Sequence, residues 1–231
     1  MSGRIFILSP ANCAGKRGQR LLAPEAGGQM VARLRGEAGV PLGELFAFMS
    51  GLYFRGKLAY ATRFAAAHRL DGGPHSAVSA DRARGTPDQR AVRGVHIITP
   101  SHGLRGPEEL VRLDDVRAFA SQAIDLANDT YRRALEDSAR ALLAGAGDCD
   151  IVLLGSIASP KYVEVLVGVF GARLVFPADF VGRGDMSRGG LLLRHVAAGT
   201  ELPYIPVEGA VRRGVRPPKL PKLSTPPRQT R

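Results

Sequence analysis

The sequence predicts an α/β protein, a single three-layer domain in which helices flank a central mixed or parallel sheet. Four short apolar runs with β-branched residues are spread along the chain, at residues 4–10, 95–101, 150–156 and 173–179. Their nearly continuous hydrophobicity is typical of strands that are buried on both faces. Longer segments with helical spacing separate these runs, so strands and helices alternate along the chain.

Two helical segments are predicted between the first and second strands. The first is short and covers residues 25–36. The second covers residues 42–67, where apolar side chains recur at near-helical spacing. Gly51 and Gly56 are expected to interrupt this second segment, because glycine weakens the interior of a helix.

Two further helical segments follow the second strand. Residues 114–144 begin with acidic side chains, which favour a helix N-terminus, and continue with good helix formers. Asn128 is expected to divide this segment into two helices. Residues 160–170 predict another helix, since Pro160 suits the first turn of a helix.

Two segments lack any core-forming pattern. Residues 68–94 are rich in Gly, Pro, Ser, Asp and Arg, and they predict a flexible surface insertion. Residues 211–231 form a basic segment with five prolines, which predicts an extended tail. The α/β domain is therefore expected to comprise residues 1–210.

Charge is the most informative bulk property of the chain. It contains 32 Lys and Arg against 21 Asp and Glu, which gives a net charge of +11. Seven of these cations follow Glu208, and the other 25 exceed the acidic residues by only four. A positive field of this kind attracts polyanions, so nucleic acid, in the first place DNA, is the expected partner.

Several classes of protein are not expected. No apolar run reaches the roughly 18–20 residues of a membrane helix, and the N-terminal apolar run is too short for a signal peptide. The sequence therefore predicts a cytoplasmic protein with no membrane partner. The two cysteines and five histidines lack metal-site spacing, so no metal or other cofactor is expected. Cys13 lies near basic residues and is either a plain buried thiol or a redox-sensitive one.

Candidate site residues lie in the loops that follow the predicted strands, because ligands of open α/β sheets bind outside the carboxyl ends of strands. After the first strand, Ser9, Lys16 and Arg17 predict a phosphate site among small residues, with a solvated loop as the alternative. After the second strand, Ser101 and His102 predict a phosphate donor or a general base, with a structural histidine as the alternative.

The loops after the third and fourth strands add further candidates. Ser159 and Lys161 stand at the start of a predicted helix, whose N-terminus favours an anion. Residues 180–190 contain four glycines and predict a loop whose backbone approaches a ligand, with Arg183 and Arg188 on its phosphates. Asp185, in the same loop, is either a base or a salt-bridge partner of these arginines.

The order of these motifs resembles that of the YaaA peroxide-stress family of DNA-binding proteins. The matching runs are residues 7–12 (Ser-Pro-Ala after a strand), 99–107 (Gly-Leu-x-x-Pro), 158–162 (Ala-Ser-x-x-Tyr) and 183–188 (Arg-Gly-x-Met-x-Arg), and residues 48–57 match more loosely. Asn12, Thr99 and His102 depart from the Lys, Ser and Tyr of the family. The resemblance implies one α/β domain with a basic DNA-binding cleft. It also implies that the protein has a role in limiting oxidative DNA damage. A looser similarity links this layout to uracil-DNA glycosylases.

The sequence leaves three classes of function open. The first is a DNA-binding protein linked to oxidative-stress protection or DNA repair, whose phosphate contacts would be Ser9, Lys16, Arg17, Arg55, Lys57, Ser101, Ser159, Lys161, Arg183 and Arg188. The second is a hydrolase acting on a base or an N-glycosidic bond. Its catalytic candidates are Asp185 and His102, and its base-stacking candidates are Tyr53, Tyr162 and Phe180. The third is an interaction protein that recruits partners through its basic, proline-rich tail.

Overall fold

The predicted α/β architecture is confirmed. The computed structural model describes residues 3–65, 94–158 and 160–220, and within them eight helices flank a six-stranded mixed sheet. The predicted insertion lies outside these ranges apart from Gly94, and the tail is described only as far as residue 220. None of the helices in the described ranges is long and apolar enough to cross a membrane.

The central sheet has the strand order β4-β3-β1-β6-β7-β8. Its members are β1 (Arg4–Leu8), β3 (Val95–Thr99), β4 (Gly103–Arg105), β6 (Asp150–Leu154), β7 (Leu174–Pro177) and β8 (Tyr204–Pro206). The four inner strands are parallel, and the two edge strands β4 and β8 run antiparallel to their neighbours. The four predicted strands are these inner ones. Two further residue pairs, β2 (Val40–Pro41) and β5 (Leu110–Val111), form a small separate sheet.

Both edges of the main sheet are short and interrupted. On one side, the backbone amide of Leu104 in β4 donates to the Ser138 hydroxyl at 2.9 Å. On the other side, β8 ends at Pro206, which has no amide hydrogen. These three-residue strands escaped the sequence analysis because they carry too few residues to show a period.

Six of the eight helices in the described ranges match predicted segments, whereas no helix was predicted over residues 16–22 and 185–198. The helices are α1 (Lys16–Leu22), α2 (Gln29–Arg35), α3 (Leu42–Ser50), α4 (Leu52–Phe64), α5 (Leu113–Ser121), α6 (Asp129–Gly145), α7 (Pro160–Phe170) and α8 (Asp185–Ala198). Gly51 separates α3 from α4 at a φ of 66°, whereas the interruption expected at Gly56 is wrong. Asn128 caps α6, since its side chain accepts from the Tyr131 amide.

The loop predicted over residues 180–190 is wrong in its second half, because α8 begins at Asp185. A Cβ added to Gly189 would lie 2.9 Å from the Tyr53 Cα, and one added to Gly56 would lie 2.8 Å from the Gly189 carbonyl oxygen. These two glycines therefore let α4 and α8 cross with their backbones in contact. Lys16 and Arg17 likewise belong to the first turn of α1 rather than to an open loop.

The order of the strands places a crevice near the middle of the sheet. The chain leaves β1 towards β3 on one side, whereas it leaves β6 towards β7 on the other side. In open α/β sheets, ligands bind outside the carboxyl ends of the strands at such a reversal. The reversal here lies between β1 and β6, where Ser9 and Gly155 directly follow the two strands.

Candidate functional site

A cleft of about 710 Å³ occupies this reversal point. Its lining comes from the loop after β1, the segments that follow β3 and β6, the start of α8, and the facing sides of α3 and α4. The segment after α5, from Gln122 to Asp125, closes one side. Six residues selected from the sequence line this cleft, namely Ser9, Tyr53, Lys57, Lys161, Tyr162 and Asp185.

Lys57 lies in the lining of this cleft and is almost completely buried, with 2% of its surface exposed. Its Nζ donates to the Ser9 carbonyl oxygen at 2.6 Å and to the Ser9 hydroxyl at 2.8 Å. The amine also lies over the rings of Tyr53 and Phe54, 4.7 and 4.8 Å from their centroids. Within the described residues no carboxylate pairs with it.

Burial lowers the pKa of Lys57 from its ordinary value of 10.5 to about 7, because water no longer solvates the cation. The carboxylate of Asp185 opposes this shift, and the guanidinium of Arg188 adds to it. The side chain therefore carries a neutral amine in part of the molecules near pH 7. This environment disfavours the charged form of the amine, which a lysine needs in order to bind a phosphate by its charge.

Ser9 owes its position to the central strands. Its amide donates to the Leu154 carbonyl at 3.1 Å, so it continues the pairing of β1 with β6. The Tyr162 hydroxyl donates to the Ser156 carbonyl at 2.8 Å and also interacts with the Ser9 side chain. A Cβ at Gly155 would lie 2.8 Å from the Ser9 Cβ, so only glycine allows the two strand ends to approach this closely.

Tyr53 supplies a second buried polar group in the lining. Its hydroxyl has no hydrogen-bond partner of acceptable geometry, although the Arg188 guanidinium lies close enough to influence its pKa. Burial raises that pKa above the ordinary tyrosine value. A buried hydroxyl without a partner costs free energy, so a ligand polar group that reached it would be bound favourably.

The lining contains as many basic as acidic side chains. Lys57 and Lys161 are the two basic ones, and Asp125 and Asp185 are the two carboxylates. The arginines expected here serve the protein itself instead. Arg188 is buried, and its Nε and Nη2 both donate to the Phe180 carbonyl at 3.2 Å. Its Nη1 lies 3.3 Å from Asp185 Oδ1, so Asp185 forms the salt bridge that was one of its two predicted roles.

Two other residues from this region also lie outside the lining. Arg183 donates to the Asp179 carbonyl at 2.9 Å and to the Ser187 hydroxyl at 3.3 Å, which ties the start of α8 to the preceding turn. Phe180 is 1% exposed and packs edge-on against Tyr53, so it stacks on the protein interior and presents no face to a ligand.

The candidates after β3 are separated from the cleft by Phe119. The His102 ring packs edge-on against Phe119, with centroids 5.5 Å apart, and its Nδ1 lies 3.2 Å from the Ser101 hydroxyl. Thr99 accepts from the His102 amide at 3.0 Å and closes the turn into β4. Ser159 lies outside the described residues.

The remaining basic candidates lie on the surface. Lys16, Arg17 and Arg55 are exposed and do not line the cleft, and Arg17 donates to the Phe48 carbonyl at 2.8 Å. Cys13 does line the cleft, but burial raises its pKa to about 12. That favours the plain buried thiol over the redox-sensitive one, because the thiolate is the reactive form.

Sequence reasoning placed Lys57 among phosphate ligands and missed its burial. A signal was present, since Tyr53, Lys57 and Tyr60 follow one another at spacings of four and three, on one face of α4. All three are buried. A lysine inside an otherwise apolar helical stripe indicates a desolvated amine. Residues 122–125 also line the cleft, and nothing in their sequence indicated this.

Comparison with known proteins returned no match to a family model, to a curated protein or to a solved structure. Within the described ranges, no group of three or more His, Cys, Asp and Glu side chains is arranged to hold a metal ion. The cleft and the charges around it are therefore the features from which a function can be inferred.

Proposed function

We propose that this protein binds DNA and holds one unpaired nucleotide in the cleft, in the service of oxidative-stress protection or DNA repair. The observation that carries the proposal is the cleft itself. Its volume of about 710 Å³ falls within the range of about 300–1,000 Å³ that is usual for small-ligand sites. It has room for a single nucleotide and none for a duplex.

The mixed lining suits a nucleobase better than a run of phosphates. Carboxylates such as Asp125 and Asp185 accept hydrogen bonds from the exocyclic amino groups of bases. The side chains of Tyr53 and Tyr162 supply apolar wall beside them. Enzymes and binding proteins that select one base commonly take it out of the stack into such a pocket.

Phosphate contacts are available outside the cleft. Lys16, Arg55 and Lys161 are exposed, and none of them forms an ion pair with another described residue. The +11 charge of the chain provides the long-range attraction that brings a polyanion to this surface. Lys161 lies both on the surface and in the lining, which supports a contact between its amine and the phosphate of the bound nucleotide.

The test compares two charge reversals in the full chain. Lys161→Glu changes the cleft, whereas Arg63→Glu makes the same change beside Gly199, at the opposite end of α8. We expect Lys161→Glu to weaken binding of a fluorescent single-stranded oligonucleotide by about tenfold, the effect of roughly 1.4 kcal/mol. Arg63→Glu should produce only the small, salt-screened loss expected of a distant charge.

Anisotropy titrations in 50 mM salt, repeated up the salt series, measure both variants against the unaltered chain. Equal losses in the two variants would show that binding depends on overall charge alone, and the cleft proposal would then fail. Failure of the unaltered chain to bind any oligonucleotide at low salt would remove nucleic acid as the partner.

A further inference from the structure

Lys57 has a combination of features that phosphate binding does not explain. It lines the cleft, it has no carboxylate partner among the described residues, and its hydrogen bonds go to the two oxygens of Ser9. A lysine that binds phosphate works as a solvated cation at the surface. A lysine held in an apolar site as a neutral amine is suited instead to attack a carbonyl carbon.

The contacts of the amine leave its lone pair available. A neutral amine has two hydrogens, and Ser9 offers two acceptor oxygens at 2.6 and 2.8 Å. The hydroxyl hydrogen of Ser9 has its own acceptor in the Tyr162 oxygen, with which the Ser9 side chain interacts. Both N–H groups are then occupied, and the nitrogen lone pair is free for a ligand.

We propose that Lys57 is a nucleophile that forms an imine with the aldehyde of an abasic deoxyribose held in the cleft, which would make the protein a lyase on abasic DNA. The inference rests on the proposed function, because it takes DNA as the ligand. A deoxyribose that has lost its base opens to an aldehyde at C1′, and this is the carbonyl electrophile that DNA itself presents. The cleft also has room for a sugar with a phosphate on either side.

The reaction balances without a redox partner. The Nζ lone pair attacks C1′, the C–N bond forms, and the π-bond electrons move to the C1′ oxygen. That oxygen takes one proton from Nζ and a second from solvent, and it leaves as water to give an iminium ion. A base then removes a C2′ proton, and Asp185 is a carboxylate of the lining that can take it. The electron pair forms the C2′–C3′ double bond as the C3′–O bond breaks, and the phosphate leaves. Water finally hydrolyses the iminium ion and returns the amine of Lys57.

The experiment traps the imine in the full chain. The protein is mixed with an oligonucleotide that carries one abasic site, in the presence of sodium cyanoborohydride, which reduces the iminium ion to a stable amine. The matched oligonucleotide carries a tetrahydrofuran residue at the same site, which has the same shape and no aldehyde. Anisotropy measures the binding of both oligonucleotides in the same buffer.

We expect a covalent adduct with the abasic strand and none with the tetrahydrofuran strand. Peptide mapping by mass spectrometry should place the added mass on Lys57 of the unaltered protein, which needs no variant. Lys57→Arg keeps a long basic side chain but removes the primary amine, and it should lower the trapping rate by about 100-fold or more. Without reductant, the abasic strand should be cleaved on the 3′ side of the lesion.

Other outcomes separate the two proposals. If both oligonucleotides bind but no adduct forms, or if the adduct lies on another lysine, the lyase inference is overturned and the DNA-binding proposal stands. If neither oligonucleotide binds and no adduct forms, the DNA-binding proposal fails and the inference fails with it.

Discussion

At the scale of single residues, Lys57 holds its amine in a buried environment that a lysine ordinarily avoids. Placing an amine among Tyr53, Phe54 and the end of β1 forfeits its hydration, and nothing in the described residues offers an ion pair in return. Natural proteins accept local costs of this kind mainly at functional sites. The cost therefore has a measurable signature in the stability of the fold.

That signature is a dependence of stability on pH. The pKa of Lys57 is about 7 in the folded chain, against 10.5 for an ordinary lysine, so the unfolded chain binds the extra proton between these values. The contribution of Lys57 to the free energy of unfolding should consequently rise as the pH increases above 7. The free energy of unfolding should rise by at most about 1.4 kcal/mol per pH unit from this residue. Below pH 7 the amine is protonated in the fold, and burying the cation then destabilises the fold to the full extent.

Urea unfolding of the unaltered chain and of Lys57→Met at pH 7, 8 and 9 isolates this contribution. The charged or titratable groups near the amine are Asp185, Arg188 and Tyr53, and both proteins retain them. We expect the unaltered chain to gain stability relative to the variant at each step. Parallel pH profiles would mean that Lys57 keeps its proton in the fold, and its assignment as a neutral amine would be wrong.

At the scale of elements, the crossing of α4 and α8 is what carries Lys57 and Asp185 to the same cleft. The glycines of residues 180–190 predicted a loop near a ligand, because a close approach to a ligand and a close approach to another helix both require the absence of a Cβ. The inner strands were predictable, since their continuous apolar runs are long enough to be recognised. Contacts between glycines that lie far apart in the sequence are not visible in a local pattern.

Substitution of Gly189 by alanine should therefore destabilise the fold. The added Cβ would meet the Tyr53 Cα at 2.9 Å and the Leu52 carbonyl oxygen at 3.1 Å, so the two helices must separate. We expect a loss of about 1–3 kcal/mol, the usual cost of overpacking. Gly168→Ala is the matched control, because it lies inside α7 with nothing within 4 Å and should gain up to about 1 kcal/mol.

Chemical denaturation of the two glycine variants provides the comparison. If Gly189→Ala is as stable as the parent chain, the backbones of α4 and α8 are not in the contact described. Oligonucleotide binding by Gly189→Ala also reports on function, because displacement of α8 moves Asp185 away from Lys57.

At the scale of the whole molecule, the position of the cleft was predictable from topology, whereas its composition was not. Alternating strands and helices predicted a ligand site at the carboxyl ends of strands, and the cleft lies there. The net charge of the chain suggested a basic lining, but the lining holds two carboxylates beside its two lysines. Arg188 turns inward and Arg183 binds a carbonyl group at the surface, and a sequence does not state which way a side chain points.

The charge of the tail should govern how binding responds to salt. Arg212, Arg213, Arg216 and Lys219 are exposed, and replacing all four by glutamine removes their charge without shortening the chain. Truncation at residue 210 is unsuitable as a test, because the Val215 carbonyl packs against Gly182 and Leu220 packs against the core. We expect the slope of log affinity against log salt to fall by about 0.7–0.9 for each tail residue that contacts phosphate.

Binding by the glutamine variant at low salt should persist, because the cleft is intact. A complete loss would assign the polyanion affinity to the tail and support the partner-recruiting alternative. An unchanged slope would mean that these four residues do not contact phosphate at all.

The edges of the sheet restrict how copies of this protein can associate. Leu104 already gives its amide to Ser138, and Pro206 has no amide to give, so neither outer strand offers an uninterrupted row of donors. Proteins whose outer strands are unprotected can join edge to edge into continuous sheets or fibrils. Within the described residues, both outer strands are therefore interrupted in a way that disfavours this route of association.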